Sequence, residues 1–280
     1  MRVKGIAERM HVNGIERGAV TCCLLFIGYL PVGAHAVAQQ SETLSPRAQG
    51  AESAPMKAAQ LFALANAARA SAGVGSLTWD PALADAALKH CLRMAVEGPI
   101  AHRYDGELDL TARAGAAGAH FSYVEENIAV GSNPETIHGG WLDSPEHRAN
   151  LLNPEVDRVG IAAVASGNLI FAVADFERAV TVLTQTQVET AFAKLLRARQ
   201  MMVTKDTNEA RSYCASTGRY QGGDPPSFLL RWQNPDVTQW PAPLVEQLAT
   251  GRYHKAAVGS CPAQDVNGAF TIYRVAVLLY

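Results

Sequence analysis

The chain has 280 residues, of which 48% are hydrophobic and 18% are charged, and its formal net charge is −2 at pH 7. This composition is typical of a folded protein with a sizeable core and excludes an intrinsically disordered one. The near-neutral charge lacks the basic excess of nucleic-acid binders, so we expect no nucleic-acid partner.

The first 38 residues are typical of a secretory signal peptide. A basic stretch leads into the apolar run AVTCCLLFIGYLPVGAHAVA at 19–38, which ends in small residues suited to cleavage. The run is short for a membrane span, and an uncleaved anchor is the alternative. We therefore expect a secreted, extracellular or periplasmic protein without a transmembrane helix in the mature chain. Residues 39–55 are polar and small, which predicts a flexible linker.

Two helices are predicted next. Residues 56–73 are rich in Ala, with apolar residues near helical spacing, and end at Gly73. After a short extended piece, Asp80 can cap a second helix that has Pro81 in its first position. One face of that helix carries Leu83, Ala87, Cys91 and Met94, so we expect Cys91 to be buried.

The middle of the chain mixes helices with strands. A weaker helix is predicted at about 108–116, followed by the mixed stretch FSYVEENIAVGS. The segment WLDSPEHRANLL predicts a helix interrupted before a Ser-Pro step, where Ser144 can cap a new turn. The runs RVGIAAVAS and NLIFAVADF, joined by Ser-Gly-Asn, predict a β-hairpin.

The composition shifts beyond about residue 181. TQVETAFAKLLRARQMMV predicts a helix, whereas the Pro-, Gly- and Trp-rich segment 222–243 predicts a loop or irregular structure. AAVAS at 162–166 is echoed by AAVGS at 256–260, which suggests a degenerate half-repeat or the coincidence of two generic strands. Cys214 and Cys261 can pair in an exported chain.

Three motifs carry the polar residues of a candidate site: His102 in IAHRY, Glu126 in EENIA, and Glu146 with His147 in SPEHRANLL. Each residue taken alone is also typical of a surface or helix-end position. If the three segments pack around one groove, two imidazoles and a carboxylate can bind a zinc-type divalent cation completed by water. The same groups can supply an acid–base pair without a metal.

The remaining His, Trp and loop residues have simpler interpretations. We expect His90 and His120 to be partly exposed, His254 to lie on the surface, and His138 to be within reach of a cleft. Trp79 and Trp141 are more typical of core positions. Arg148 and Asn150 are expected to tie loops down by hydrogen bonds.

The motifs resemble the bacterial secreted branch of the CAP superfamily, also called the SCP domain. The matching positions in the first two helices are Asn66, Arg69, Leu77, Trp79 and Met94. His102 follows as in the family, EENI resembles its Gly-Glu-Asn-Ile motif, and WLDSPEHRAN resembles its Trp-x-x-Ser-Pro-Gly-His-Arg-x-Asn motif. The resemblance covers roughly residues 56–178.

The resemblance implies an α+β fold, an α-β-α sandwich with a cleft, over residues 56–180, with 181–280 as a C-terminal α+β extension. It implies that His102 and His147 are the two imidazoles of the cleft and bind a metal where one is present, with Glu126 as the first acid. Ser144 stands where eukaryotic members have a second acid. Glu125 and Glu146 replace family glycines, and Glu146 is a candidate substitute acid.

We therefore expect a non-catalytic cleft that binds an extracellular small molecule, lipid or cell-surface polymer, with or without a divalent metal. The alternative is a zinc-type hydrolase of peptide or cell-wall material, in which Glu126 orients or deprotonates water. A third reading is a structural module whose polar residues only stabilise loops. The chain has no recognisable nucleophile elbow and no H-E-x-x-H helix, which favours binding over catalysis.

Overall fold

The computed structural model describes residues 2–4, 50–262 and 270–280, and within them eight helices and two sheets. The helices are α1 (Pro55–Ser71), α2 (Pro81–Glu97), α3 (Leu110–Ala116), α4 (Pro134–Asp143), α5 (Pro145–Leu151), α6 (Gln185–Arg197), α7 (Asn208–Ala215) and α8 (Ala242–Ala249). The strands are β1 (Arg2–Lys4), β2 (Glu52–Ser53), β3 (Thr78–Trp79), β4 (Phe121–Gly131), β5 (Arg158–Ser166), β6 (Leu169–Ala179), β7 (Met202–Val203), β8 (Phe228–Asn234), β9 (Lys255–Cys261) and β10 (Tyr273–Leu279).

The first sheet is the middle layer of an α-β-α sandwich. Its strand order is β1-β4-β6-β5-β2, and β3 pairs in parallel with the start of β5. Helices α1, α4 and α5 pack on one face, and α2 packs on the other. The predicted hairpin is confirmed as β5 and β6, and the expected α+β sandwich is the fold of this part of the chain.

Helix α2 begins as the sequence predicts. The Asp80 carboxylate accepts hydrogen bonds from the backbone N–H groups of Ala82 (2.8 Å) and Leu83 (3.1 Å), and Pro81 occupies the first turn. The helix then crosses β5 at Gly160, where a Cβ would overlap the backbone of Ala84. A glycine is required there because helix and strand approach backbone to backbone.

The hydrophobic core follows the two faces of the sheet. The face toward α1, α4 and α5 is filled by Leu61, Trp141, Leu151, Ile161 and Phe176, among others. The face toward α2 is filled by Ala87, Cys91, Met94, Val164 and Phe171. The burial predicted for Trp141 and Cys91 is confirmed.

The second sheet forms another three-layer unit in the C-terminal third. Its order is β7-β9-β10-β8, with α6 and α8 on one face and α7 on the other. The predicted disulfide joins Cys214 of α7 to Cys261 of β9. The prediction of irregular structure over 222–243 is wrong in part, because Phe228, Leu230 and Trp232 alternate along β8 and pack against the second core.

Three further expectations are affected. Trp79 is not a core residue: it is 37% exposed, meets Phe62 edge to face, and lines an apolar pocket of about 380 Å³ between α1 and α2. The predicted linker is structured at its end, because β2 pairs with β5 and α1 begins at Pro55. Residues 5–49, with most of the predicted signal peptide, lie outside the described residues. Among the residues described, no helix is long and apolar enough to cross a membrane.

Candidate functional site

Strand β4 carries three consecutive polar side chains that are fully buried. Glu125, Glu126 and Asn127 each have no exposed surface. Since side chains alternate along a strand, Glu126 points to the α2 layer while its two neighbours point to the layer of α1, α4 and α5. Glu125 accepts hydrogen bonds from the Tyr123 hydroxyl (2.8 Å) and the Asn153 amide (3.1 Å).

The Glu126 carboxylate joins two segments that follow α2. One oxygen accepts a hydrogen bond from Nδ1 of His102 at 2.7 Å, and the other accepts one from the Arg113 guanidinium. Nε2 of His90 lies 3.9 Å from that second oxygen. Burial alone would raise the pKa of Glu126, but the hydrogen bond from His102 and the charge of Arg113 bring it below its ordinary value.

This contact fixes the orientation of His102. A carboxylate facing Nδ1 makes that nitrogen the N–H donor, so the neutral ring carries its lone pair on Nε2. The His102 side chain is 36% exposed, whereas Glu126 is completely covered. Arg113 also donates to the His102 backbone carbonyl at 3.1 Å, which anchors the residue at a second point.

His147 is brought to the same region by the next residue of β4. The Asn127 amide donates to the His147 backbone carbonyl at 2.8 Å, and the Asn150 amide donates to the Asn127 side-chain oxygen at 2.9 Å. Burial, followed by the charge of His102, lowers the pKa of His147 below its ordinary value. The lowered pKa favours the neutral imidazole of His147, whose backbone is held by Asn127, the neighbour of Glu126.

Comparison with protein families places this site in a known domain. Residues 62–181 match the family model described as "CAP: Cysteine-rich secretory protein family". This segment includes His102, Glu126 and His147, which stand in the motifs that resemble those of the CAP superfamily. Residues 62–181 form a CAP domain.

Three known proteins are similar to part of this chain. YkwD of Bacillus subtilis, an uncharacterised protein, is 30% identical over 110 residues, which are 38% of this chain and 42% of that protein. An extracellular SCP-domain protein from Bacillus anthracis is 29% identical with a TM-score of 0.41, covering 44% of this chain and 41% of that one. An outer surface protein of Borrelia burgdorferi is 21% identical with a TM-score of 0.42, covering 44% and 93%. This chain thus spans less than half the length of the two Bacillus proteins.

The CAP domain site contains a histidine whose burial the sequence analysis missed. His90 on α2 is fully buried, so the expectation of partial exposure is wrong. Its Nδ1 lies 2.8 Å from the Glu107 carboxylate and its Nε2 lies 3.0 Å from the Ala101 carbonyl oxygen. Its spacing from Leu83, Ala87 and Met94 already placed it on the buried face of α2. His90 therefore connects α2 to the loop that carries His102.

Asp175 is a second residue that the sequence analysis did not identify. It lies opposite Glu126 on β6 and is fully buried. Burial, together with the neighbouring charge of Glu126, raises the pKa of Asp175 well above its ordinary value. Two carboxylates in this position cannot both ionise, so Asp175 is the protonated member. The only sequence signal was a lone Asp within the apolar run of the hairpin.

The sequence analysis also singled out Ser144 and Glu146, which lie at the start of α5, and Glu125 on β4. Ser144 is the N-cap residue of α5, as the sequence predicts, but its side chain makes no capping hydrogen bond. Glu146 is exposed in the first turn of α5. Glu125 and Glu146 lie in a strand and a helix, so neither requires the left-handed backbone that favours glycine.

The donor set limits how a metal could bind. Within residues 50–262 and 270–280, no group of three or more His, Cys, Asp or Glu side chains is arranged to hold a metal ion. Glu126 uses its oxygens on His102 and Arg113. An ion held by His102 and His147 would have two protein ligands and would be completed by water or by the bound molecule. The metal stays a prediction for these two residues.

Proposed function

We propose that this chain is a secreted CAP-domain binding protein that holds an extracellular ligand where His102 and His147 meet the surface. The observation that carries the proposal is the 2.7 Å hydrogen bond from His102 Nδ1 to the buried Glu126 carboxylate. It pre-organises His102, with Nε2 available as a hydrogen-bond acceptor or metal ligand. The neutral His147 supplies a second acceptor beside it.

The burial of Glu126 supports binding over hydrolysis. A general base has to reach the water from which it removes a proton, directly or through one water molecule. Glu126 has no exposed surface, and both oxygens already accept bonds from cationic or donor side chains. Its role in this proposal is to position His102. The hydrolase alternative would then need another base.

The extracellular location has three supports. The first 38 residues have the pattern of a signal peptide, and the Bacillus anthracis relative is described as extracellular. The Cys214–Cys261 disulfide is also typical of oxidising compartments. Cleavage after residue 38 would remove β1 with the signal peptide. It would leave the site intact, because every residue of the site lies after position 50.

The proposal is tested with Zn²⁺ as the probe on the mature chain. Isothermal titration should show one weak site that is lost in His102→Ala and in His147→Ala. It should be weakened about 10- to 100-fold in Glu126→Gln, because the orienting carboxylate is gone. His254→Ala is the matched control, since His254 is exposed and distant in sequence. Equal Zn²⁺ affinity in all four variants would remove the metal from the proposal.

A second assay separates binding from hydrolysis. Purified peptidoglycan and casein are incubated with the mature protein, and both retention of protein on the polymer and release of fragments are measured. Retention on peptidoglycan that falls in His102→Ala supports binding to a cell-surface polymer. Fragment release that is lost in His102→Ala would favour the hydrolase over the binding proposal, and release that persists in Glu126→Gln would exclude Glu126 as its base.

A further inference from the structure

The two halves of the chain run through the same order of elements. The first half contains α1, β3, α2, β4, the pair α4–α5, β5 and β6, with α3 inserted before β4. The second contains α6, β7, α7, β8, α8, β9 and β10. Every element of the second half therefore has a counterpart in the first.

The elements are also joined in the same way. In the first sheet β6 lies between β4 and β5, antiparallel to both, and β3 pairs in parallel with β5. In the second sheet β10 lies between β8 and β9, antiparallel to both, and β7 pairs in parallel with β9. The helices agree as well, because α1 and α6 cover one face while α2 and α7 cover the other.

We infer that residues 185–279 are a second, shortened copy of the arrangement of residues 55–179, in which the buried polar site has been replaced by an apolar interior and a disulfide. The inference does not rest on the proposed function. It is carried by strand register, by the layer to which each side chain points, and by the points at which the helices cross the sheet.

Strand register assigns a counterpart to each site position. The parallel strands place Arg158 beside Thr78 and Lys255 beside Met202, so position 158 corresponds to 255. Following the pairs across each sheet, Phe176 corresponds to Leu279 and Glu125 corresponds to Phe228. Glu126 and its cross-strand neighbour Asp175 then correspond to Leu229 and Leu278, which are also cross-strand neighbours.

The counterparts of Glu126 and Asp175 carry no ionisable group. Leu229 and Leu278 pack with Ala210 and Ala257 in one small apolar cluster beneath α7. They face the α7 layer, as Glu126 and Asp175 face the α2 layer, so the direction of the side chains is preserved. The second copy therefore has no buried carboxylate to orient a histidine in the manner of Glu126.

The helix crossings fix the correspondence between α2 and α7. Helix α2 crosses β5 closely at Gly160, and α7 crosses β9 closely at Gly259, where a Cβ would overlap the backbone of Arg211 and Ala210. By register Gly259 corresponds to position 162, two residues further along the strand than Gly160. Two strand residues span about 7 Å, and about four helix residues span a similar length. The point of closest approach on α7 therefore corresponds to a point about four residues beyond Leu83 on α2. Ala210 thus corresponds to Ala87, and Cys214 corresponds to Cys91.

The disulfide then falls on a contact that the first copy makes without a covalent bond. Cys261 corresponds by register to Val164, and Val164 and Cys91 belong to the same buried cluster beneath α2. Cys91 and Val164 are therefore the equivalents of Cys214 and Cys261. The AAVAS/AAVGS echo is not part of this correspondence, because register aligns Ala162 with Gly259 and not with Ala256.

The correspondence is tested by introducing a thiol at the counterpart of Cys261. In the mature chain carrying Val164→Cys, mild oxidation with oxidised glutathione should form a disulfide to Cys91, which is the free cysteine of the described residues. Thiol titration in denaturant should fall to none per chain, and a peptide map without reductant should show the new link. Ala163→Cys is the matched control, because its side chain points to the α1 layer, and two thiols should remain.

The result is read only for protein with a cooperative thermal transition and an intact Cys214–Cys261 link. Formation of the Cys91 link in Val164→Cys and not in Ala163→Cys supports the second copy. Two free thiols in folded Val164→Cys, or equal linking in both variants, would overturn the assigned correspondence. If Val164→Cys does not fold, the double variant Cys214→Ala and Cys261→Val is measured by thermal unfolding instead: a cooperative transition supports the correspondence, because Cys91 and Val164 already pack together without a link, and loss of the cooperative transition would overturn it.

Discussion

The carboxyl groups of Glu126 and Asp175 stand opposite each other on β4 and β6, and neither side chain has any exposed surface. Glu126 is ionised because His102 and Arg113 bond to it. Burial, and then the neighbouring charge of Glu126, raises the pKa of Asp175 well above its ordinary value, so Asp175 keeps its proton. One negative charge is therefore concentrated on the oxygen pair that orients His102.

The raised pKa of Asp175 predicts a pH-dependent effect of Asp175→Asn. A group whose pKa is higher in the folded state contributes stability below its unfolded pKa, about 4 for Asp, and loses that contribution as pH rises. Asparagine does not titrate, so the melting temperature of the variant relative to wild type should increase from pH 5 to pH 8. Thermal unfolding across this range provides the measurement.

The exposed residue Asp143 supplies the control for that experiment. Asp143→Asn removes a carboxyl group from the surface and is measured over the same pH range. A difference between Asp175→Asn and wild type that is constant from pH 5 to pH 8 would mean that Asp175 is already charged, contrary to its assignment as the neutral partner of Glu126.

The raised pKa of Glu177 predicts a similar pH dependence of stability, which should stop changing above the pH set by that pKa. Burial, and then the charge of Asp80, raises the pKa of Glu177 to about 8. Wild type should therefore lose stability as pH rises from about 4.5 to 8, whereas Glu177→Gln should not. The advantage of the variant should level off above pH 8, as followed by thermal unfolding. Glu155→Gln at an exposed position is the control, and an advantage that keeps growing to pH 10 would contradict the assigned pKa.

Much of the fold could be predicted because local signals agree with the final packing. The α2 cap at Asp80, the break before Pro145 and the β5–β6 hairpin all depend on neighbouring residues. Strand β8 was missed because its Pro- and Trp-rich surroundings are typical of loops, and its partner β10 is distant in sequence. Pairing between distant strands leaves little trace in local composition.

The candidate site was likewise predicted only in part. His102, Glu126 and His147 could be identified because they stand in motifs of the CAP domain. Arg113 and Asp175 could not, since their importance comes from lying against Glu126 in space. His90 lay on the predicted apolar face of α2, where its burial follows from helical spacing, but only the structure shows its partner Glu107.

Arg113 tests the electrostatic balance around Glu126. Arg113→Met removes the buried cation that faces the carboxylate, and we expect a loss of about 3 kcal/mol in the free energy of unfolding. Adding Glu126→Gln should recover part of that loss, because no buried negative charge then remains uncompensated. Denaturant unfolding at pH 7 measures both variants.

Arg158→Met is the comparison variant. The Arg158 side chain is 48% exposed, so its ion pair with Asp80 should contribute at most about 1 kcal/mol. Similar losses for the two Arg variants would contradict a buried, coupled role for Arg113.

The Cys214–Cys261 disulfide closes a loop with a sequence separation of 47 residues. Loop-closure entropy for this length predicts that the double variant Cys214→Ala and Cys261→Val loses about 4 kcal/mol of unfolding free energy. Both positions are buried, so Ala and Val keep apolar contacts and the loss reports mainly the missing link. Denaturant unfolding of the oxidised protein compares the variant with wild type, and Cys91→Ala controls for the loss of a buried sulfur without loss of a link. A double variant as stable as wild type would show that the second sheet does not depend on its disulfide, and that the α7–β9 contact is sufficient, as the α2–β5 contact is in the CAP domain.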